Sequence, residues 1–308
     1  MEEKNKIAIL QMISSMTIYG TLGLLRRCLP IPSALIALVR GIIGTLFLLG
    51  IMMLQKKRIN RRAIRSNLFW LLLSGGALGF DWILLFEAYR FATVAAATLC
   101  YYTAPAMVIL ASVVLFREKL TLHKGICTAV SLVGMVFASG ILQPDGIMGT
   151  RSIGIILGLS AAVLYAAVIL INRKLRNVDT YTRGIVQLAA ASLVLIPYNI
   201  MTVDCSGITF TAGTVCLLLI AGVVHTGIAY ALYFSAMGSL PAQGVALMSY
   251  VDPIASVLLS GIVLRENLGV NTILGAAMVL GSMAVSELDI HCLPQFRLLQ
   301  IKPKRLLH

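Results

Sequence analysis

The sequence predicts an all-α polytopic membrane protein in which ten transmembrane helices form two inverted five-helix repeats around a central cavity. The first reason is composition: 59% of the 308 residues are hydrophobic, 12% are charged, and the mean hydropathy is +0.92. Soluble domains are closer to about half apolar and about a quarter charged. Because so few charges cannot cover so much apolar surface in water, the composition indicates a chain that lies in a bilayer.

The second reason is a set of ten apolar segments, each close to the about 20 residues that a membrane-spanning helix needs. The predicted spans cover residues 7–25, 33–54, 68–88, 93–116, 122–142, 152–171, 182–200, 212–234, 241–264 and 270–286. The first segment is too long for the apolar core of a signal peptide, so we interpret it as a retained span.

The third reason is an internal repeat, which is clearest in two segments that lie 148 residues apart. Residues 100–120 read CYYTAPAMVILASVVLFREKL, and residues 248–268 read MSYVDPIASVLLSGIVLRENL. More weakly, Tyr19 aligns with Tyr165 at an offset of 146. Five spans per copy is an odd number, so the second copy is expected to be inverted in the membrane, a common design of secondary transporters.

Basic residues in the connecting segments predict the orientation of the chain. With both termini in the cytoplasm, nineteen lysines and arginines fall in inner segments. Five fall in outer segments, namely Arg26, Arg27, Arg90, Arg151 and Arg265. We therefore expect an integral protein of a bacterial plasma membrane with both termini cytoplasmic. The same distribution accounts for the net charge of +13 without nucleic-acid binding.

The repeat also predicts how the chain is organised. Residues 1–142 are expected to form the first five-helix repeat and residues 152–287 the second. Between them, residues 143–151 form a linker that is too short to separate independent domains, and residues 288–308 form a basic cytoplasmic tail.

Two mid-span prolines mark the expected cavity. Pro105 and Pro253 each free a backbone carbonyl one turn earlier and bend the helix, and in a bilayer that carbonyl needs protein or water as a partner. Tyr102 and Tyr250 share the helix faces of these prolines. We predict that the two bent helices form facing walls of the cavity; kinks that serve only helix packing are the alternative.

Ionisable residues within spans are costly and are therefore functional candidates. Asp252 lies near the expected midplane, next to Pro253, and its repeat partner is the neutral Ala104. His225 lies at comparable depth and is a candidate partner of Asp252. The carboxylate could accept a proton or hold a substrate amine, and the imidazole could relay the proton. A hydrogen-bonded pair that only fixes helix packing is the alternative.

Arg40 and Asp81 form a second candidate pair, because both are expected roughly 10 Å below the outer surface. This pair is expected to be a structural or gating ion pair, or else a ligand contact. The aromatic residues Trp82, Tyr101 and Tyr230 complete the candidate substrate and proton pathway, since such side chains favour flat or cationic ligands. Packing is their alternative role.

The sequence carries no motif of a familiar catalytic class. HExxH, GxSxG, a Walker loop, a Rossmann glycine run and metal-spaced clusters of His, Cys and Asp are absent from it. We therefore expect no enzymatic activity, no cofactor and no metal site. Without a phosphate-binding loop, ATP-driven pumping by this chain is not expected.

The segments YYTAP…FREKLT and SYVDP…VLRENL, together with ten spans in two repeats, resemble the EamA family of the drug/metabolite transporter superfamily. The resemblance covers essentially the whole chain. It implies a basket of ten helices with alternating access and export of a small metabolite, often driven by the proton gradient. It also aligns Glu118 and Glu266 with the family's helix-end glutamates, which are expected to be structural here. Arg117 and Arg265 stand where many relatives have glycine.

The favoured function is a secondary transporter that exports a small amphipathic metabolite such as an amino acid, with protons as the candidate coupling ion. An integral-membrane enzyme acting on lipid is the first alternative, but it would need a polar cluster at a membrane face, and none is visible. The second is a membrane scaffold or receptor subunit, which requires neither midplane charge nor inverted repeats. The expected partners are a small molecule, protons and the lipid bilayer, and the oligomeric state is left open.

Overall fold

A computed structural model describes residues 2–56, 60–117, 120–139, 150–204, 208–237, 239–240, 245 and 248–287. These residues form helices joined by turns, and no β-strand occurs among them. Most of the predicted linker, the whole predicted tail and Glu118 lie outside the described residues.

The first half of the chain forms α1 (Glu2–Gly20), α2 (Leu22–Cys28), α3 (Ser33–Leu54), α4 (Arg61–Ser66), α5 (Leu68–Phe91), α6 (Val94–Tyr101), α7 (Ala104–Phe116) and α8 (Leu122–Ser139). The second half forms α9 (Thr150–Asn172), α10 (Thr180–Thr202), α11 (Ala212–Leu219), a π-helical segment (Ile220–Ile228), α12 (Ala229–Met237), α13 (Val251–Ile262) and α14 (Val270–Glu287).

Within the described part of the chain, seven helical stretches are long and apolar enough to cross a membrane. They are Lys6–Cys28, Ser33–Leu54, Leu68–Phe91, Val94–Leu115, Arg151–Asn172, Thr180–Thr202 and Ala212–Met237. Three shorter apolar helices, Leu122–Ala138, Val251–Ile262 and Val270–Ser286, fall on the three remaining predicted spans. The helices therefore lie where the sequence places the spans, and seven of them reach full spanning length.

Within the described residues, four of the predicted spans are not continuous α-helices. The first is interrupted at Thr21, between α1 and α2, and the fourth is interrupted at Tyr102 and Thr103, between α6 and α7. The eighth changes to π-helical geometry over nine residues in its middle. The ninth is interrupted at Tyr250, just before α13. Apolar composition predicts the length of a span, but it does not predict where the helical register changes.

The two halves of the chain pack into each other. Helix α5 lies against α9 and α10, α3 lies against α10 and the π-helical segment, and α1 lies against α12 and α13. Helices α8 and α14 pack on each other where Gly134 meets Gly275. A Cβ added at Gly275 would lie 2.4 Å from the carbonyl oxygen of Gly134, so the absence of a side chain permits this close approach.

Many large apolar side chains face outward, and a few charged side chains are buried between the helices. Val114, Ile200 and Met201 are 78%, 78% and 85% exposed, whereas Arg40 and Asp81 are 2% and 0% exposed. This distribution is the reverse of that expected in water and is typical of helices surrounded by lipid.

Candidate functional site

A cavity of about 300 Å³ lies between helices of both halves. Its walls come from α1, α2, α3, α5, α6 and α7 on one side of the chain and from α9, α12 and α13 on the other. Eight of the ten tyrosines of the protein line it, together with a tryptophan: Tyr19, Trp82, Tyr89, Tyr101, Tyr102, Tyr165, Tyr230, Tyr233 and Tyr250. Among the lining residues that the structure describes, Arg40 and Asp252 are the charged ones.

The break between α6 and α7 presents Tyr102 to the cavity. Helix α6 ends at Tyr101, and the hydroxyl of Thr103 donates to the carbonyl oxygen of Cys100 at 2.6 Å. Helix α7 then starts with Pro105 in its first turn, where the missing N–H of proline costs no hydrogen bond. The predicted bend at Pro105 is therefore a helix break, and Pro105 lines the cavity beside it.

The second copy of the repeat has the same local geometry. Tyr250 precedes α13 with φ −71° and ψ −10°, close to the φ −73° and ψ 7° of Tyr102. Tyr250 lines the cavity, whereas Pro253 is buried and is not among the lining residues. Asp252 lies in the first turn of α13, a position where the helix dipole favours a negative charge.

A hydrogen bond across the cavity joins the two copies. The hydroxyl of Tyr102 donates to Oδ2 of Asp252 at 2.5 Å. One helical turn away on each side, the hydroxyls of Thr98 and Ser256 lie 3.0 Å apart. The carboxylate predicted as the leading candidate thus reaches the cavity, and a tyrosine of the first repeat holds it there.

The hydrogen bonds of His225 go to residues other than Asp252, although both were expected at similar depth. Its Nε2 lies 2.8 Å from Oγ1 of Thr21, and its Nδ1 lies 3.3 Å from the carbonyl oxygen of Ile220. The side chain is 4% exposed and is not among the residues that line the cavity. Depth in a span does not specify the helix face, and the π-helical segment changes that face.

Arg40 and Asp81 do not form the direct ion pair that their depths allow. The Nε of Arg40 donates to Oγ1 of Thr226 at 3.1 Å, and its guanidinium carbon lies 4.0 Å from the ring centroid of Trp82. Oδ2 of Asp81 accepts from the hydroxyl of Tyr101 at 3.4 Å. Nη1 of Arg40 and Oδ1 of Asp81 are buried without a hydrogen-bond partner in the described structure. Arg40 lines the cavity, and Asp81 lies behind its wall.

The cavity contains more aromatic residues than the sequence analysis proposed. Trp82, Tyr101 and Tyr230 line it as expected. Tyr165 lies 5.3 Å from Tyr101, and Tyr19 lies 5.8 Å from Tyr230, measured between ring centroids. The alignment of Tyr19 with Tyr165 in the repeat was the available signal for these two residues, because equivalent positions of two copies tend to meet at their common axis.

Glu266 ties the end of α13 to the start of α6. Its carboxylate accepts from the backbone N–H of Val94 at 2.9 and 3.1 Å, from Arg27 at 3.2 Å and from the hydroxyl of Ser260. It therefore satisfies an N–H at the start of α6 that has no partner within the helix. The contacts of Glu266, the helix-end glutamate that the family resemblance implied, are therefore of a structural kind.

The arginines of the two Arg-Glu motifs share a positive φ. Arg117 and Arg265 both have a φ of +53°, in the left-handed region that favours glycine. Here this conformation is adopted by arginines whose side chains are exposed.

The geometry supports binding of a small organic molecule. Among the described residues, no group of three His, Cys, Asp or Glu side chains is placed to hold a metal ion. The cavity instead offers aromatic faces, tyrosine hydroxyls, one guanidinium and one carboxylate. A few polar groups in an otherwise apolar cavity are typical of sites for small molecules.

Comparison with known proteins agrees with a repeated transporter fold. Two proteins of Bacillus subtilis (strain 168) are similar to this chain. The uncharacterized transporter YxxF is 25% identical over 284 residues, covering 92% of this chain and 90% of that protein. The uncharacterized transporter YoaV is 23% identical over 252 residues, covering 81% and 85%. A solved crystal structure that is 20% identical shares the fold, with a TM-score of 0.64 over 91% of this chain and 96% of that one.

The model of the EamA-like transporter family matches this chain twice, over residues 6–140 and again over residues 152–287. The two matches cover both halves that contribute walls to the cavity. They confirm the resemblance found in the sequence: this chain is an integral membrane protein that belongs to the EamA-like transporter family.

Proposed function

We propose that this transporter exports a small amphipathic metabolite, an amino acid or a related compound, by alternating access and with proton coupling through Asp252. The observation that carries the proposal is the cavity shared by both halves, in which nine aromatic residues surround Arg40 and Asp252. Aromatic faces suit a flat or apolar body, and the two opposite charges suit the charged groups of a zwitterion.

The hydrogen bond between Tyr102 and Asp252 supplies a physical link between ligand binding in the cavity and the conformation of the transporter. It joins a residue of the first repeat to a residue of the second across the cavity. A proton or a substrate amine at the carboxylate changes this bond. A ligand shifts a conformational equilibrium only through different interactions in the two states, and this bond is where the difference would arise.

Reconstitution into liposomes tests the transport proposal. Vesicles that contain the protein and are preloaded with unlabelled amino acids should take up labelled amino acid by exchange, and protein-free vesicles should not. The labelled compounds are chosen by a thermal-shift screen, since a ligand that binds only the folded state raises its apparent stability. Failure of exchange with every amino acid and related compound tried would contradict the proposed substrate class.

We also propose that the chain crosses the membrane ten times, with inverted repeats at residues 1–142 and 152–287 and with cytoplasmic termini. The matching turns at Arg117 and Arg265 support equivalent roles in the two copies. Inversion places these turns on opposite sides of the bacterial plasma membrane.

Cysteine labelling tests this topology. In a background without the native cysteines, Arg265→Cys should react with a membrane-impermeant maleimide in intact cells, and Arg117→Cys should react only after permeabilisation. Both side chains are exposed, so a difference in reactivity reports the side of the membrane. Equal labelling of both variants in intact cells contradicts the inverted arrangement.

A further inference from the structure

Two buried arginines among the described residues of the first repeat differ in their hydrogen bonds. Every guanidinium nitrogen of Arg26 has a partner: Nε and Nη2 donate to Oγ of Ser33 at 3.2 and 3.1 Å, and Nη1 donates to the carbonyl oxygen of Leu29 at 2.8 Å. Arg40 donates through Nε to Thr226, and its Nη1 is buried without a partner in the described structure. Nη1 of Arg40 is therefore a hydrogen-bond donor without an acceptor in the described structure.

An unfilled guanidinium nitrogen is costly in an apolar setting, because hydrogen bonds to charged groups are among the strongest that proteins make. Arg40 is 2% exposed, so bulk water does not supply the acceptor in this conformation. Asp81 is close enough to interact electrostatically, but it forms no direct bond to Arg40 and does not line the cavity. Arg40 lines the cavity, and because Nη1 itself has almost no accessible surface, an acceptor that enters the cavity reaches this nitrogen through a shift of the guanidinium.

The guanidinium is held ready for a planar acceptor. Its carbon lies 4.0 Å from the ring centroid of Trp82 and 5.3 Å from that of Phe86, so aromatic rings pack against its face. Thr226, in the π-helical segment, donates to the carbonyl oxygen of Ala221 and accepts from Nε of Arg40. Contacts at the face and at Nε orient the group while part of its edge stays free, and a guanidinium edge matches a carboxylate in geometry.

We propose that Arg40 is the anion-recognising residue of the cavity and that the transported compound carries a carboxylate which binds it. This inference rests on the proposed function and names the group of the substrate that the site selects. The aromatic lining takes the apolar body of the ligand, and Asp252 lies among the same lining residues as the opposite charge. A ligand with the carboxylate is bound, and a ligand of the same shape without it is not bound through Arg40.

Equilibrium binding to the purified full-length protein tests the inference. The chain has two tryptophans, so Trp70→Phe leaves Trp82, which lies against Arg40, as the single tryptophan reporter. Phenylacetate and phenethylamine share a ring and differ in the sign of their charge. We expect phenylacetate to change the fluorescence of Trp82, and Arg40→Gln to weaken its binding at least about tenfold, because a charge-assisted hydrogen bond is lost. The affinity for phenethylamine should not fall.

Two further variants keep the test decisive. Arg40→Gln leaves the carboxylate of Asp81 buried beside a neutral residue, which can prevent folding. The double variant Arg40→Gln with Asp81→Asn removes both charges and provides a second measurement of phenylacetate binding. Arg26→Gln is the matched control, since it removes a buried arginine that does not line the cavity. Its affinity for phenylacetate should equal that of the parent.

Three results would overturn the inference: no binding of phenylacetate to the parent, equal affinity of the parent and the Arg40 variants, or equal losses in the Arg40 and Arg26 variants. The exchange assay separates this failure from failure of the proposed function. If the parent exchanges amino acids but the Arg40 variants bind phenylacetate as well as the parent does, the carboxylate site is wrong and the transporter proposal stands. If binding depends on Arg40 but no exchange occurs, the carboxylate site stands and the transporter proposal is wrong.

Discussion

The two copies of the repeat share a backbone break but differ in the chemistry beside it. Tyr102 and Tyr250 have nearly the same φ and ψ, and both side chains line the cavity. Two residues further on, the first copy has Ala104, which is 1% exposed, and the second copy has Asp252, which accepts a hydrogen bond from Tyr102. The break is a property of the repeat, and the charge belongs to one copy alone.

This difference shows how two copies of one repeat can form a cavity with a single carboxylate. Matching breaks give both halves a place where the backbone departs from the α-helix, which a helix pair that only packs does not need. A charge duplicated in both copies would place a second carboxylate two residues after Tyr102, the residue that holds Asp252, where the two carboxylates would repel each other. With Ala104 opposite Asp252, the cavity keeps one carboxylate and can pair it with a tyrosine.

The largest expected effect comes from removing the charge that distinguishes the copies. Asp252→Asn should abolish pH-driven uptake of substrate in liposomes, because an amide cannot carry the coupled proton. Folding should be preserved, since the amide still accepts from Tyr102. Uptake under a pH gradient is the measurement, with the fluorescence-detected elution profile as the folding control. Uptake equal to that of the parent would remove the proton role of Asp252.

A large loss of stability is expected from removing the helix-end contact of the second copy. Glu266→Ala leaves the first N–H of α6 and Arg27 without their acceptor, and we expect a loss of about 2–4 kcal/mol, measured by thermal unfolding in detergent. Glu87→Ala is the control, because its pair with Arg90 is partly exposed, at 23% and 55% of the two side chains, and should contribute less than about 1 kcal/mol. The repeat predicts a similar loss for Glu118→Ala; equal effects of the Glu266 and Glu87 variants would contradict the contact's importance.

An intermediate effect is expected at the paired tyrosines. Tyr102→Phe removes the donor to Asp252 and should raise the half-saturating substrate concentration for exchange by about tenfold. Tyr250→Phe should have a smaller effect, because the hydroxyl that donates to Asp252 belongs to Tyr102. The alanine variants of both tyrosines should weaken binding, since both rings line the cavity. A larger effect of Tyr250→Phe than of Tyr102→Phe would contradict the view that the hydroxyl of Tyr102 is the more important of the two.

The smallest effect is expected at the turns that the copies share. Arg117→Gly and Arg265→Gly replace residues with φ of +53° by one that adopts this conformation without steric cost. Relief of backbone strain is partly offset by the greater freedom of glycine in the unfolded chain, so each change in stability should be within about 1 kcal/mol. Thermal unfolding should give matching shifts for the two variants; opposite signs would show that the turns are not equivalent.

Much of the fold could be predicted from the sequence. The apolar segments locate the helices, and the repeat identifies the breaks near Pro105 and Pro253, because span length and helix-breaking residues are local properties of the chain. Asp252 could be selected in the same way, since a carboxylate within an apolar segment is unusual wherever the neighbouring helices lie. The family followed from the two repeat motifs.

What only the tertiary structure decided is which side chains meet. His225 and Asp252 were expected at comparable depth, but His225 contacts Thr21, whereas Asp252 accepts a hydrogen bond from Tyr102 of the other repeat. The helix face of a residue changes at each break and along the π-helical segment, and it is fixed by packing between helices from distant parts of the chain. For the same reason the sequence does not reveal the unpartnered nitrogen of Arg40: hydrogen-bond satisfaction depends on three-dimensional neighbours, and at Arg26 every guanidinium nitrogen has a partner.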